Sequence, residues 1–152
     1  MLEIGMTAPD FHAESTEGPV RLYDDYKGKK NVILIFYPIN NTPGCRKQLC
    51  DARDAQPDYE QLDTAVLGIN PGKFAGHQKF TAKHNFGFPL VFDDRWQIVA
   101  NYHVPTFSGM MVARTVLIVD KDMKVRYINK GMPSTQELIT AIKEINESSQ
   151  SL

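Results

Sequence analysis

Cys45 is the residue of this chain that is best placed to do chemistry. It follows the apolar run 32–37 and a short segment rich in proline, asparagine and glycine. The run is rich in β-branched and aromatic residues and is bounded by polar residues, which predicts a buried strand. Thr42 is a favoured N-cap residue, and Pro43 then takes the first helical position, where proline is favoured. A helix is therefore predicted to begin directly before Cys45.

In this helix Cys45 is the third residue. The backbone N–H groups of a first turn have no intrahelical partner, and we expect the Thr42 hydroxyl to bond that of Cys45. The positive end of the helix dipole favours thiolate over thiol, and the thiolate is the nucleophilic form. A single cysteine is otherwise most often a small buried apolar residue. The flanking residues must decide between these two interpretations.

The flanking residues resemble the active-site motif of the peroxiredoxins, Pro-x-x-x-Thr-x-x-Cys, which Pro38, Thr42 and Cys45 supply here. The longer string at 36–54, FYPINNTPGCRKQLCDARD, is similar to the bacterioferritin-comigratory, or Q-type, subfamily. Further segments match in the same order: GMTAPDF at 5–11, VLGI at 66–69, FPLVFDD at 88–94 and RTVLIVD at 114–120. The resemblance implies a thioredoxin-like α/β fold, with a central mixed sheet flanked by helices, over the single domain 1–152.

The reaction that the resemblance implies is reduction of a hydroperoxide. The Cys45 thiolate attacks one peroxide oxygen, the O–O bond breaks, and Cys45 becomes a sulfenic acid. The family's active-site arginine corresponds to Arg114, which by itself would be interpreted as an exposed surface residue. The Thr42 hydroxyl, the Cys45 backbone N–H and the Arg114 guanidinium would then stabilise the developing charge.

The substrate pocket is predicted to include Pro38, Pro43, Gly44 and Gln48. The two prolines would shape the pocket and shield the sulfenic acid, and Gln48 would help to order it from one helical turn after Cys45. Arg53 lies about two turns after Cys45, but a surface ion pair with Asp54 is the favoured interpretation. Arg46 and Asn70 depart from the family pattern, where Thr and Ser are common, and the role of Arg46 stays open.

Cys50 is the only other cysteine of the chain. The resemblance implies that it resolves the sulfenic acid of Cys45 as an intramolecular disulfide, which thioredoxin or a similar dithiol protein then reduces. Five residues of helix rise about 7.5 Å, whereas the Cα atoms of a disulfide lie at most about 6.8 Å apart. The bond therefore requires the first turns of the helix to unwind. The alternative is that Cys50 is a buried, inert thiol.

The composition limits the class of protein. The chain has 152 residues, of which 42% are hydrophobic and 23% charged, as is typical of a soluble globular domain. A net charge of −1 gives no reason to expect a nucleic-acid or membrane partner. The first residues lack the features of a signal peptide, so a cytoplasmic location is expected, where paired cysteines are more often catalytic than structural. A monomer or weak homodimer is expected, and the absence of nucleotide-binding patterns predicts no cofactor.

Two other functions stay open from the sequence alone. A thioredoxin-fold copper chaperone would use both cysteines and a histidine as soft ligands. The histidines are scattered along the chain, at positions 12, 77, 84 and 103, so no metal site is predicted. A redox sensor would keep the reactive sulfur and pass its oxidation to a partner protein. Titration with Cu(I) would test the first alternative, and turnover with thioredoxin and its reductase would test the second.

Hydrophobic periodicity and turn residues place the remaining elements. Strands are predicted at 65–70, 90–92, 112–119 and 125–129, and helices at 43–56, 73–84, 95–102 and from 134 onward. The first of these helices is predicted to end by Gln56, because Pro57 disfavours helical geometry before it. Ser134 and Glu137 have the spacing of a capping box. The chain from Ser148 onward is expected to fray.

Overall fold

A seven-stranded mixed sheet forms the centre of the computed structural model, which describes residues 2–150. The strands are β1 (His12–Ser15), β2 (Gly18–Arg21), β3 (Asn31–Phe36), β4 (Thr64–Asn70), β5 (Leu90–Phe92), β6 (Thr106–Phe107), β7 (Met111–Val112), β8 (Thr115–Val119) and β9 (Val125–Asn129). The helices are α1 (Leu22–Tyr26), α2 (Pro43–Gln61), α3 (Phe74–His84), α4 (Gln97–Asn101) and α5 (Thr135–Gln150). β6 and β7 form a separate two-stranded sheet.

The order of strands across the main sheet is β2-β1-β5-β4-β3-β8-β9. β3, β4 and β5 are parallel neighbours, whereas β8 runs antiparallel to β3. Phe36, near the end of β3, pairs with Ile69 of β4 and with Thr115 at the start of β8. The loops that follow β3 and β4 therefore meet the chain that enters β8 at one edge of the sheet.

The side chains of β3 are buried along its whole length. Alternate residues face opposite sides of a strand, and two core layers result. Leu34 and Phe36 pack in the layer that includes Ile98 of α4, and Ile33 packs in the layer that includes Ile142 of α5. Helices therefore cover both faces, and the predicted mixed sheet with flanking helices is confirmed.

The prediction that α2 ends by Gln56 is wrong, because the helix continues to Gln61 with Pro57 inside it. Pro57 is exposed, and it lacks the N–H that the Arg53 carbonyl would otherwise bond in the helix. Tyr59, beyond the proline, is buried in the same core layer as the first half of the helix. Packing of this face against the sheet outweighs the local preference of proline.

The helix predicted at 95–102 is shorter than expected. Trp96 has a left-handed φ of 59°, which stops helical geometry before α4. The carboxylate of Asp93 then accepts hydrogen bonds from the N–H groups of Ile98 and Val99, at 3.1 and 2.9 Å. The cap of this helix therefore comes from a residue of the preceding loop.

The strand predicted at 112–119 is interrupted after Val112 and resumes at Thr115. The Ala113 N–H donates to the Pro105 carbonyl at 2.7 Å, so this part of the chain bonds to the neighbouring loop and not to the main sheet. Arg114 therefore lies immediately before β8 and outside any strand, where its side chain is half-buried.

The last helix begins as predicted. The Ser134 hydroxyl accepts a hydrogen bond from the Glu137 N–H at 3.1 Å, which is one half of a capping box. The helix continues to Gln150, and positions 151 and 152 of the segment expected to fray lie outside the described residues. Over the described part of the chain, no helix combines the length and the apolar character that a membrane span requires.

Candidate active site

The loop between β3 and α2 brings Cys45 to the edge of the sheet. Asn41 adopts a left-handed φ of 63°, which asparagine tolerates better than most residues, and turns the chain toward the helix. Thr42 is the extended N-cap residue and Pro43 the first helical residue, as predicted. Cys45 is the third residue of α2, and its side chain is 0% exposed. Both this sulfur and that of Cys50 are free thiols.

Arg114, which directly precedes β8, contacts this sulfur with its guanidinium group. Its Nη2 lies 3.6 Å from Cys45 Sγ, and its Nη1 donates to Gln48 Oε1 at 2.5 Å. Gln48 is buried on the same face of α2, one turn after Cys45. The amide oxygen of Gln48 therefore fixes the guanidinium in the position from which it contacts the sulfur.

Gly44 leaves the space that Arg114 occupies. A Cβ atom at position 44 would lie 3.1 Å from Arg114 Nη2 and 4.0 Å from the methyl carbon of Met132. The first distance is shorter than an ordinary contact, so a side chain here would displace the guanidinium. Gly44 is therefore part of the site because its missing side chain leaves space for the guanidinium. Met132 also lies next to the site, which the sequence did not indicate.

The expected cap between Thr42 and Cys45 is wrong. The Thr42 side chain makes no helix cap, and its hydroxyl donates instead to the Ile39 carbonyl at 3.2 Å. The Thr42 oxygen keeps its lone pairs, and the Cys45 backbone N–H is left uncapped by this residue.

The predicted pocket residues occupy different places. Gly44 and Gln48 contact Arg114, and Pro43 is exposed at the start of α2. Pro38 lines a neighbouring cavity of about 310 Å³, together with Ile39, Asn40, Asn70, Pro71, Gly72, Trp96 and Met110. Cys45 does not line this cavity. The structure therefore brings two of the four predicted residues, Gly44 and Gln48, to the arginine at the sulfur, and Pro38 to the neighbouring cavity.

A buried polar network holds the loop that precedes Cys45. The Tyr37 hydroxyl donates to Asn40 Oδ1 at 2.8 Å, and Asn40 Nδ2 lies 2.9 Å from Nδ1 of the fully buried His77. His77 Nε2 lies 3.2 Å from the Asn70 carbonyl, which can only accept, so Nε2 carries the proton and Nδ1 accepts from Asn40. Burial raises the pKa of Tyr37, with a smaller effect from Cys45, so the phenol stays a donor.

Asn70 completes this network from the end of β4. Its side-chain amide donates to the carbonyls of Tyr37 and Pro38, at 2.7 and 2.9 Å. The departure from the family pattern at position 70 therefore has a structural role, which the sequence did not reveal. The position of a polar residue directly after a buried strand was the one feature of the sequence that could have indicated this role.

Cys50 is half-buried on α2, and its Sγ lies 3.9 Å from Nδ1 of His84. Arg53 forms the predicted ion pair with Asp54, at 2.9 Å, and its Nη1 also donates to the His84 carbonyl at 2.7 Å. Among residues 2–150, no three His, Cys, Asp or Glu side chains meet in a group that could hold a metal ion.

Residues 4–128 match the model of the AhpC/TSA family. The chain is 34% identical over 127 residues to peroxiredoxin Bcp of Bacillus subtilis, with 80% of each chain covered. It is 31% identical over 136 residues to alkyl hydroperoxide reductase E of Mycobacterium tuberculosis, with 88% of each covered. The crystal structure of peroxidoxin BcpB from Mycobacterium tuberculosis aligns with a TM-score of 0.87 at 27% identity, over 95% of this chain and 99% of that one.

The chain therefore belongs to the AhpC/TSA family. Its similarity to peroxiredoxin Bcp and to BcpB makes it a peroxiredoxin of the bacterioferritin-comigratory, or Q-type, subfamily with a thioredoxin-like fold. The protein is a thiol peroxidase. The resemblance found in the sequence is confirmed in family, fold and class of reaction.

Proposed function

We propose that Cys45 is the peroxidatic cysteine of this thiol peroxidase. The observation that carries the proposal is the 3.6 Å contact between Arg114 Nη2 and the buried Cys45 sulfur in the first turn of α2. The guanidinium carries a permanent positive charge and the start of the helix a partial one, so both attract the negative charge that takes part in the reaction. Burial keeps water and larger reagents away from it. These conditions fit a sulfur that reacts with one small oxidant.

The reaction uses three groups around the sulfur. The Cys45 thiolate attacks the outer oxygen of ROOH, and the S–O bond of the sulfenic acid forms as the O–O bond breaks. The alkoxide that leaves takes a proton from water to become ROH. The Cys45 N–H and Arg114 Nη2 stabilise the negative charge that develops on the two oxygens. The Thr42 hydroxyl donates to Ile39, so its lone pairs can accept the proton of the peroxide itself and orient it for attack.

The substrates are hydrogen peroxide and small organic hydroperoxides. An enclosed sulfur favours a small oxidant, and the apolar side chains of Ile39 and Met132 beside the loop can contact an organic substituent. Ile39 is 45% exposed and Met132 40% exposed, so an apolar group would replace water there. The name of the mycobacterial relative, alkyl hydroperoxide reductase E, supports organic substrates.

The sulfenic acid is resolved by Cys50 within the same chain. Both cysteines lie in α2, where five residues of helix rise about 7.5 Å, more than a disulfide spans. The start of α2 must therefore unwind in each cycle. Thioredoxin, or another dithiol protein, then reduces the disulfide by exchange. A cytoplasmic location and a monomeric or weakly dimeric state complete the proposal.

The decisive experiment is hydrogen peroxide turnover with thioredoxin and its reductase, for the wild type, Cys45→Ser and Cys50→Ser. Cys45→Ser should be inactive. Cys50→Ser should consume about one equivalent of peroxide and then stop as sulfenic acid, or proceed to sulfinic acid. Intact-mass spectrometry identifies each product. Full turnover by Cys45→Ser would exclude the assignment of the peroxidatic residue.

A further inference from the structure

The imidazole of His84 contacts the sulfur of Cys50. His84 ends α3, and its Nδ1 lies 3.9 Å from Cys50 Sγ. The ring is stacked on Phe86 with centroids 5.5 Å apart, and the edge of Phe80 packs against it at 5.4 Å. Its Nε2 is buried and has no hydrogen-bond partner within the described residues. The aromatic neighbours therefore hold the ring in an orientation that directs Nδ1 at the sulfur.

Cations surround this pair of residues. Burial lowers the pKa of His84 below its ordinary value of 6.5, and the charges of Lys83, Arg46 and Arg53 lower it further. The imidazole is therefore neutral at neutral pH and able to accept a proton. The pKa of Arg53 is raised, first by its hydrogen bond to Asp54 and to a smaller extent by Cys50, so its guanidinium stays charged beside this pair.

Two hydrogen bonds anchor α2 just after Cys50. Arg53 Nη1 donates to the His84 carbonyl at 2.7 Å, and Gln56 Nε2 donates to the Phe86 carbonyl at 2.6 Å. Both bonds join the helix to the segment that holds the imidazole. When the start of α2 unwinds, these bonds keep Cys50 near His84, and Cys45 is the residue that moves.

We propose that His84 is a further catalytic residue, the base that takes the proton of Cys50 as Cys50 attacks the Cys45 sulfenic acid. The proposal rests on the proposed function, in which Cys50 resolves. His84 Nδ1 accepts the Sγ proton, the Cys50 thiolate attacks the Cys45 sulfur, and the S–O bond breaks. The hydroxide that leaves takes the proton from the imidazolium. The products are the disulfide and one water, so no further oxidant or reductant is needed.

The test is the rate of disulfide formation after one equivalent of peroxide, by acid quench and intact-mass spectrometry. The disulfide is lighter than the sulfenic acid by one water, so both species are counted. Wild type, His84→Gln and the matched control His12→Gln are compared, because His12 is an exposed histidine that pairs with Asp10. His84→Gln should form sulfenic acid at the wild-type rate but resolve at least about tenfold more slowly at pH 7. His12→Gln should behave as wild type.

The pH profile separates a base from a merely structural residue. Wild-type resolution should vary little with pH above the imidazole titration. In His84→Gln the rate should rise about tenfold per pH unit below the ordinary thiol range, because only the thiolate fraction reacts. An unchanged rate and profile in His84→Gln would overturn the role of His84. If the wild type forms no Cys45–Cys50 disulfide, the proposed resolving role of Cys50 is wrong. The wild-type measurement alone gives that result, before any variant is compared.

A second variant covers the case in which His84→Gln does not fold. His84→Phe keeps a ring on Phe86 and removes both nitrogens. In the Cys45→Ser background Cys50 is the sole thiol, so its alkylation by iodoacetamide reports on the pair directly. With His84 present the alkylation rate should show a step at the imidazole titration, and with Phe it should not. The same step in both proteins would overturn the proposal.

Discussion

The guanidinium of Arg114 lies 3.6 Å from the sulfur of Cys45, although 69 positions separate the two residues in the chain. Antiparallel pairing of β8 with β3 produces this contact, because Phe36 at the end of β3 pairs with Thr115 at the start of β8. Arg114 directly precedes β8, and the loop after β3 leads to Cys45 in the first turn of α2, so both side chains lie at the same edge of the sheet. The sheet fixes the distance between them, so the site is organised before a substrate arrives.

Replacing Arg114 by methionine should slow peroxide attack about 10²- to 10³-fold, the usual cost of removing one donor to a developing oxyanion. Methionine keeps much of the side-chain volume and removes both the charge and the donor. The rate constant of the first oxidation is measured by competition or stopped flow. Arg21→Met is the control, because Arg21 is an exposed residue that pairs with Asp25. An unchanged rate for Arg114→Met would make Arg114 a structural residue only.

Gln48 should act through Arg114 and not independently. Gln48→Met removes the acceptor of the 2.5 Å hydrogen bond and leaves the guanidinium less well placed. We expect peroxide attack to slow about tenfold, the low end of what one hydrogen bond to a charged group contributes. In a double-mutant cycle, Gln48→Met should cost almost nothing once Arg114 is methionine. Additive effects would show that Gln48 meets the substrate by itself.

Local signals in the sequence were sufficient for the first half of the site. Three features predicted this half: the strand before Cys45, the N-cap residue and the proline at the first helical position. They lie close together in the chain, so short-range patterns were enough to identify them. The extent of α2 was not predictable in the same way. Pro57 disfavours a helix locally, but Tyr59 beyond it is buried against the sheet, and tertiary packing has no local signature.

The contacts across the fold required more than the sequence. Arg114 was identified by family resemblance alone, since only the pairing of β8 with β3 brings it to Cys45. His77 and His84 appeared as scattered histidines, because neither the Asn40–His77 bond nor the Cys50–His84 contact has a fixed spacing in the chain. Such contacts depend on how α3 packs beside α2, which periodicity does not specify.

His77 should make the stability of the protein pH-dependent. Burial lowers the pKa of His77 below 6.5, so as the pH falls through 6.5 the unfolded chain binds a proton that the native state does not. The free energy of unfolding then falls, by at most about 1.4 kcal/mol per pH unit from this residue, until the lowered pKa is reached. His77→Gln keeps a donor toward the Asn70 carbonyl and does not titrate, so it should remove that part of the fall.

Urea unfolding at several pH values between about 5 and 7.5 measures this dependence. His12→Gln serves as the control for the loss of a histidine at an exposed position. Part of the slope should persist in His77→Gln, since the pKa of His84 is also lowered. If His77→Gln showed the full wild-type slope, His77 would not be the neutral buried group that its hydrogen bonds indicate.

Oxidation should unwind the start of α2 but not its second half. Formation of the Cys45–Cys50 disulfide must break the first turns, and an opening of this size should cost only a few kcal/mol. Arg53 and Gln56 are held by the carbonyls of His84 and Phe86, at 2.7 and 2.6 Å, so the unwinding should stop before them. Amide exchange in the oxidised protein should therefore be faster over 43–50 and unchanged over 54–61.

A pair of variants tests whether the anchor sets this boundary. Arg53→Met removes the bond to the His84 carbonyl, so fast exchange in the oxidised protein should spread beyond residue 53. Asp54→Asn removes the ion pair of Arg53 but leaves that bond in place, and its exchange pattern should match the wild type. Helix α5 should stay protected in every case, because it contacts α2 through buried residues of its own. Fast exchange over all of 43–61 in the oxidised wild type would show that the anchor does not hold, whereas unchanged protection over 43–50 would mean that the disulfide forms without unwinding.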